Sequence, residues 1–368
     1  FHKPATCYRN LLAKAGLVSR KMFIIILRRS MLTHRITNKA ISSSMSKETL
    51  VKVEHLSRHY GPIVAVNDIS FEVSRGEVLG FLGPNGAGKS TSMQMLTGNL
   101  APSQGSIQIC GVDLLDKPKQ AKAQIGYLPE QPPVYRELTV DEYLTFCARI
   151  NRIAKTHIKS ALSKAKARCG LNEVGGRLIG NLSKGYQQRV GIAQAIIHSP
   201  AIVVLDEPTV GLDPIQIREI RELIRELGEE HGVILSTHIL PEVQMTCDRV
   251  QIITRGQLVY QDSMANLNQQ TEATSLLLGL AATVESSELE QLDGIIRVEQ
   301  LAPQRWRLHF TAGNNPADSV AQRVIEQGWG LVELTPEQKT LEQIFVEITS
   351  AEDHTHETTE NDTTEDAA

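Results

Sequence analysis

Hydrophobic and polar positions alternate from Leu50 to Val53 and again from Ile69 to Val73, the period of half-buried strands, and Gly76 closes the second in a turn. The run Glu77 to Leu82 loses this alternation and becomes almost wholly apolar, as a strand covered on both faces does. Thr91 to Gly98 reads as a helix closed by its glycine, and Gly105 to Ile109 returns to strand. From Gln120 to Gly180 the pattern is mainly helical, with helix formers concentrated at Val140–Arg149 and Ile158–Cys169. Strand character resumes at Ala201–Leu205 and Gly232–Ser236, separated by the amphipathic run Ile215–Leu227. Strands and helices alternating at these lengths predict a parallel α/β sheet with a β-rich opening and a helical insertion over about 120–180.

Beyond Gln257–Tyr260, the Asn- and Gln-rich stretch Asn266–Gln270 reads equally as a linker or as the polar end of a helix. A second, smaller pattern follows. Ser275–Ala281, Ile295–Gln300, Arg307–Thr311 and Gly330–Leu334 read as strands, interleaved with helical Ser286–Leu292, Pro316–Gln327 and Leu341–Ile348. That order predicts a compact C-terminal α+β domain of ferredoxin-like type over 271–350. It carries no catalytic signature, and a regulatory or dimer-packing role is expected of it.

At 368 residues, 41% hydrophobic and 22% charged, the chain has room for two cored domains. No apolar run approaches the ~20 residues that cross a bilayer. The tightest cluster, Phe23 to Leu27, runs at once into Arg28 and Arg29, so any membrane span must come from a partner chain. The five cysteines, Cys7, Cys110, Cys147, Cys169 and Cys247, show no C-x-x-C spacing, which predicts a reducing compartment and no cysteine metal site. The net charge of −4 hides an asymmetry: residues 1–44 carry nine Lys or Arg and no acid, whereas Ala351–Ala368 carry seven acids and no Lys or Arg. The tail, 351–368, is expected to be a solvated disordered extension. The basic stretch within 1–48 reads either as an organellar targeting segment or as a translated upstream region, and Met45-Ser46-Lys47, which opens directly onto the first strand pattern, favours the second. Without it the folded part is acidic, which argues against a nucleic-acid face.

The candidate chemistry begins directly after the apolar run. Gly83-Pro84-Asn85-Gly86-Ala87-Gly88-Lys89-Ser90, followed by Thr91, fits G-x-x-x-x-G-K-[ST] between a strand and a helix. Glycines there let successive backbone N–H groups approach nucleotide phosphates, with the positive end of the next helix behind them. Lys89 is placed to reach the β- and γ-phosphates, and the Ser90 hydroxyl to ligate Mg²⁺. A second element is Leu205-Asp206-Glu207-Pro208: a strand ending there presents Asp206 to Mg²⁺ through a ligand water and Glu207 to an attacking water as general base.

Between these two elements, Leu182-Ser183-Lys184-Gly185-Tyr186-Gln187-Gln188-Arg189 resembles the signature motif of the ATP-binding-cassette (ABC) ATPases. Gly211-Leu212-Asp213 and Ser236-Thr237-His238 complete the order of that family's nucleotide-binding domain, over roughly 50–265. Ile125-Gly126-Tyr127-Leu128-Pro129-Glu130, the following Leu138-Thr139-Val140 and the terminal Leu341-Glu342-Gln343-Ile344-Phe345 resemble the branch that serves ABC-2 type exporters. The resemblance implies an α/β P-loop NTPase cassette at 49–265, with ATP and Mg²⁺ as cofactors. It further implies that Ser183 and the Gly185 backbone face a γ-phosphate held by a second cassette, that Asp213 lines the dimer seam, that His238 contacts the γ-phosphate and that Tyr60 stacks on adenine. Two positions depart from the family. The signature reads Ser-Lys-Gly-Tyr instead of Ser-Gly-Gly-Gln, and Glu130 stands where the family places a glutamine. Its carboxylate can offer an oxygen to Mg²⁺ or water but cannot donate as an amide does, and Gln131 fills the position after a shift of one residue. Implied partners are polytopic membrane permease subunits and a second cassette, with the chain held at the cytoplasmic face of the membrane and ATP hydrolysis driving export. A ribosome- or nucleic-acid-acting cassette is the rival class. It is disfavoured by the single phosphate loop and the missing heptad insertion. A non-hydrolysing regulatory cassette is disfavoured by intact Lys89, Asp206, Glu207 and His238.

Overall fold

The computed structural model describes residues 48–269, 274–311, 313–337 and 341–346. The expectations for the basic N-terminal stretch and the acidic tail lie outside the described residues. β1 (Thr49–Tyr60) and β2 (Ile63–Ser74) form an antiparallel hairpin. β3 (Glu77–Leu82) enters a second sheet, α1 (Lys89–Leu96) follows it, and the chain returns through β4 (Gln104–Ile109) and β5 (Val112–Asp113). The first sheet thus has the order β2-β1-β4-β5.

The second sheet is built by β6 (Ile125–Leu128) after the short α2 (Pro118–Lys122), then β7 (Ile202–Asp206), β8 (Gly232–Thr237), β9 (Arg249–Thr254) and β10 (Gln257–Ser263), in the order β10-β9-β3-β8-β7-β6. Every neighbouring pair is parallel except β10 with β9. Alternate residues of its strands feed two cores. Leu79, Ile202, Val204 and Ile234 pack toward the antiparallel sheet and α1, while Val78, Val203, Leu205, Val233 and Leu235 pack toward the helices on the other face. Both sets are buried, which is why β3 and β7 show no period of two in the sequence.

Between β6 and β7 lie α3 (Val140–Ile150), α4 (Lys155–Arg168) and α5 (Lys184–Ile196). A capping box starts α3: the Thr139 side chain accepts from the Glu142 N–H while the Thr139 N–H donates to the Glu142 carboxylate. The stretch expected to be helical from Gln120 is therefore interrupted by β6, a four-residue strand at the sheet edge. Gly126 permits it, since a Cβ there would lie 2.2 Å from the Ala195 carbonyl oxygen of α5. Helix α6 (Pro214–Glu230) buries the stripe Ile220, Leu223, Ile224 and Leu227 against the sheet, and α7 (Leu240–Thr246) crosses close to β3, where Gly80 leaves room for Val243.

The Asn-rich stretch is helical from its start: α8 spans Met264–Gln269. The small sheet consists of β11 (Ser275–Leu280), β12 (Ile295–Ala302), β13 (Arg305–Phe310) and β14 (Leu331–Glu337), with α9 (Ser286–Leu289) and α10 (Ala317–Glu326). Its order β12-β13-β11-β14, antiparallel throughout, is that of a β-α-β-β-α-β fold. Trp306, Leu308, Leu276, Leu289 and Val324 fill its core. The last described helix, α11 (341–346), belongs elsewhere: Leu341 and Ile344 are buried in the main body's cluster, which also holds Met264 and Leu267.

Candidate functional site

The carboxyl ends of β3, β7 and β8 converge on a cleft of about 360 Å³. Such sheet ends are where loops can gather polar groups without disturbing the core. After Leu82 the chain turns through Gly83 to Gly88 and enters α1, whose N-cap is Gly88 at φ +103. A Cβ on Gly88 would fall 2.5 Å from the Ala65 carbonyl oxygen, so the loop is pinched between α1 and β2, and only a glycine fits. Pro84, Asn85 and Gly86 are exposed at the mouth, and Ala87 is buried beneath them. The first turn of α1 carries no acid, so its free N–H groups and positive dipole end face the cleft unopposed.

Lys89 is 6% exposed, and its Nζ donates to the carbonyls of Gly83 at 2.8 Å and Pro84 at 3.1 Å. The same ammonium lies 3.5 Å from Glu207 Oε1. Glu207 follows β7 at φ +48, a left-handed conformation that costs a residue with a side chain strain, and its N–H donates to the Ser236 carbonyl at 2.9 Å. Its other oxygen accepts from His238 Nδ1 at 2.9 Å. One carboxylate is thus held between a lysine and an imidazole at the wall of the cleft.

Asp206 is 3% exposed and its Oδ1 has no hydrogen-bond partner. Burial raises its carboxyl above the ordinary carboxylate value, the neighbouring Ser236 and Ser90 hydroxyls pull it back down, and the charges of Glu207 and Glu130 push it up again. An unpartnered buried carboxylate oxygen beside Ser90 suits a divalent cation that keeps water and phosphate among its ligands. Mg²⁺ is held in that way, through one or two carboxylates and substrate oxygens instead of a protein cage. Among the described residues, no cluster of three or more His, Cys, Asp or Glu is placed to hold a metal ion.

The cleft brings together Asn85, Gly86, Gly88, Lys89, Ser90, Thr91, Glu130, Glu207 and His238. Of the alternative pair, Glu130 lines it, and Gln131 is exposed outside it. Tyr60 stands at the end of β1, 44% exposed, with the Arg58 guanidinium 4.7 Å over its ring; the cleft wall on that side is Ala65. Ser183 caps α5, accepting from the Tyr186 N–H at 3.4 Å, and is exposed away from this cleft. Gly185 is buried against the Gln216 side chain, and the Lys184 ammonium lies against Gly211. Asp213 caps α6, accepting from the N–H groups of Ile215 and Gln216 at 3.0 Å. Ala65 and Val210 also line the cleft and were not legible in the sequence, since neither carries a polar group or a motif position.

A glycine-pinched anion cradle, a lysine within it and an acid pair at the end of an adjacent parallel strand define a P-loop nucleotide-binding cassette. The sequence profile described as "ABC transporter" matches residues 66–210. The bacitracin transport ATP-binding protein BcrA of Bacillus licheniformis is 33% identical over 313 residues, 82% of this chain and 97% of that one. The uncharacterized ABC transporter ATP-binding protein YxlF of Bacillus subtilis is 36% identical over 236 residues, 64% of this chain and 78% of that one. A solved structure described as the ATP binding subunit of an ABC transporter shares 33% identity at a TM-score of 0.55, covering 60% of this chain and 93% of its own. The chain belongs to the family of ABC transporter ATP-binding proteins.

Proposed function

We propose that the chain hydrolyses Mg·ATP in this cleft and that a second cassette completes the site. The observation that carries the reading is Glu207, held between Lys89 and His238 where the phosphate loop meets the end of β7. Lys89 neutralises phosphate charge, the loop N–H groups fix the phosphate chain, and Glu207 takes the proton of the attacking water while His238 holds the carboxylate in place. Mg²⁺, bound through Ser90 and Asp206 with Glu130 offering a further oxygen, would neutralise charge that develops on the phosphate oxygens. Catalysis then rests mostly on positioning and electrostatics. Ser183 and Gly185 meet no part of their own cleft, and the exposed N-terminus of α5 is suited to face a phosphate on another cassette.

Closure of the pair is transmitted to polytopic permease subunits through the insertion helices and the loop from Glu130 to Tyr135, and the work done is export of the ABC-2 type. No helix among the described residues is long and apolar enough to cross a membrane, and in this reading the permease holds the chain peripherally at the cytoplasmic face. The relative named for bacitracin transport supports a transport role. Glu207→Gln tests the centre of this reading. Steady ATP turnover should fall by at least about a hundredfold, with ATP affinity kept and an ATP-dependent dimer appearing in size-exclusion chromatography. Turnover at the parent rate would remove Glu207 from the role of base.

A further inference from the structure

The carboxylate of Glu242, outside the lining of the cleft, is buried at 1% exposure in the first turn of α7. It accepts a hydrogen bond from the Thr209 hydroxyl on one oxygen and from the Thr237 hydroxyl, at 2.8 Å, on the other. Both threonines are themselves buried. The nearest cation is Arg221 of α6, whose Nη2 stands 3.9 Å from Glu242 Oε1, a loose pairing for a charge so deeply buried. A buried carboxylate is costly, and an apolar side chain of similar size would fill the same space more cheaply. Its partners indicate what it does. Thr209 lies two residues beyond Glu207, and Thr237 immediately precedes His238. A ring therefore closes from Glu207 through Pro208 and Thr209 to Glu242, on to Thr237 and His238, and back to Glu207 by the 2.9 Å contact.

We infer that Glu242 is a positioning residue for ATP hydrolysis: it ties the loop that carries Glu207 to the strand end that carries His238, and so sets the geometry of their contact from outside the cleft lining. The inference rests on the proposed ATPase reading. It requires nothing of Glu242 toward nucleotide, since Glu207 and His238 line the cleft and Glu242 does not. Since misplacing a reacting group by a fraction of a bond length costs large factors in rate, the tie acts on turnover and not on binding. Arg221 completes the ring's surroundings. Its Nη1 donates to Met245 Sδ at 3.2 Å, so α6 and α7 are joined across the same buried charge.

The test uses the full chain with Glu242→Gln, which leaves a single good acceptor oxygen, and Thr209→Val, which removes one hydroxyl at nearly constant volume. In both, kcat for ATP should fall about ten- to a hundredfold with KM within about twofold, and Thr209→Ser should restore it. The His238 imidazole signals in nitrogen-15 NMR supply a readout that needs no turnover: they should move in both variants and return with Thr209→Ser. A folded Thr209→Val protein with parental kcat, or with unmoved His238 signals, overturns the inference. So does a loss of rate in which kcat and KM worsen together in step with a lowered melting temperature. Should the parent chain bind ATP without turning it over, the ATPase reading falls, and the His238 signals alone decide: moved signals uphold the tie, and unmoved signals sink it.

Discussion

Gly88 shows how much of the cleft hangs on one missing atom. Its φ of +103 and the 2.5 Å gap between a would-be Cβ and the Ala65 carbonyl leave no room for a side chain. Gly88→Ala should cost about 1–3 kcal/mol of local strain, relieved by shifting the loop N–H groups away from the phosphates. We expect ATP affinity by calorimetry to fall about tenfold or more, whereas Gly86→Ala, also at positive φ but facing open space, should bind within a few fold of the parent. Equal losses in the two would mean that steric pinching does not set the cradle. At this scale the sequence was highly legible, because the phosphate loop and the Asp206-Glu207 pair are contiguous in the chain and their chemistry is local. Glu242 was not legible. Its partner Thr209 lies 33 residues away in the chain, and although Thr237 belongs to the Ser236-Thr237-His238 motif only five residues before it, no spacing announces a carboxylate that faces inward.

At the scale of elements, Asp213 serves its own helix before any partner. Its carboxylate oxygen accepts from two N–H groups at the start of α6, so Asp213→Ala should destabilise the chain by about 1 kcal/mol in urea titrations, while Asp213→Asn, which can still cap, should lose less than half of that. An equal loss in both would remove the cap from the account. Two strands of the parallel sheet escaped sequence reading: β6 is only four residues long and lies inside a stretch of helix formers, and β9 carries Arg249 and Gln251 among its apolar positions, so neither shows the continuous apolar run that marked β3 and β7. The α6 stripe, by contrast, announced itself through its period, because one face of that helix remains in water.

For the molecule as a whole, the buried imidazole of His231 and the half-buried one of His198, near the start of the parallel sheet, link stability to pH. His198 Nε2 meets the Ile125 carbonyl at 3.1 Å and His231 Nδ1 the Pro200 carbonyl at 2.6 Å. Burial holds both below the ordinary imidazole value near 6.5, against the upward pull of those carbonyls. The unfolded chain therefore binds protons at these sites more readily than the folded one. Their contribution to stability is complete above about 6.5 and is lost as the pH falls from there through the depressed folded-state values. Melting temperature should drop between pH 7.5 and 5.5, and His231→Gln should flatten that slope whatever it does to the absolute value; an unchanged slope would assign the pH response to other groups. What no pattern in the sequence could reveal is where α11 docks, since an amphipathic stripe tells which face is covered and not what covers it. The chain leaves the main body after α8 and comes back to it with Leu341 and Ile344, so the small sheet is fastened like a handle, at both ends. A cut made just past Glu337 would therefore do more than remove an appendix: it would unplug two side chains from the cluster that holds Met264 and Leu267, and the damage would be felt in the ATP-binding part itself.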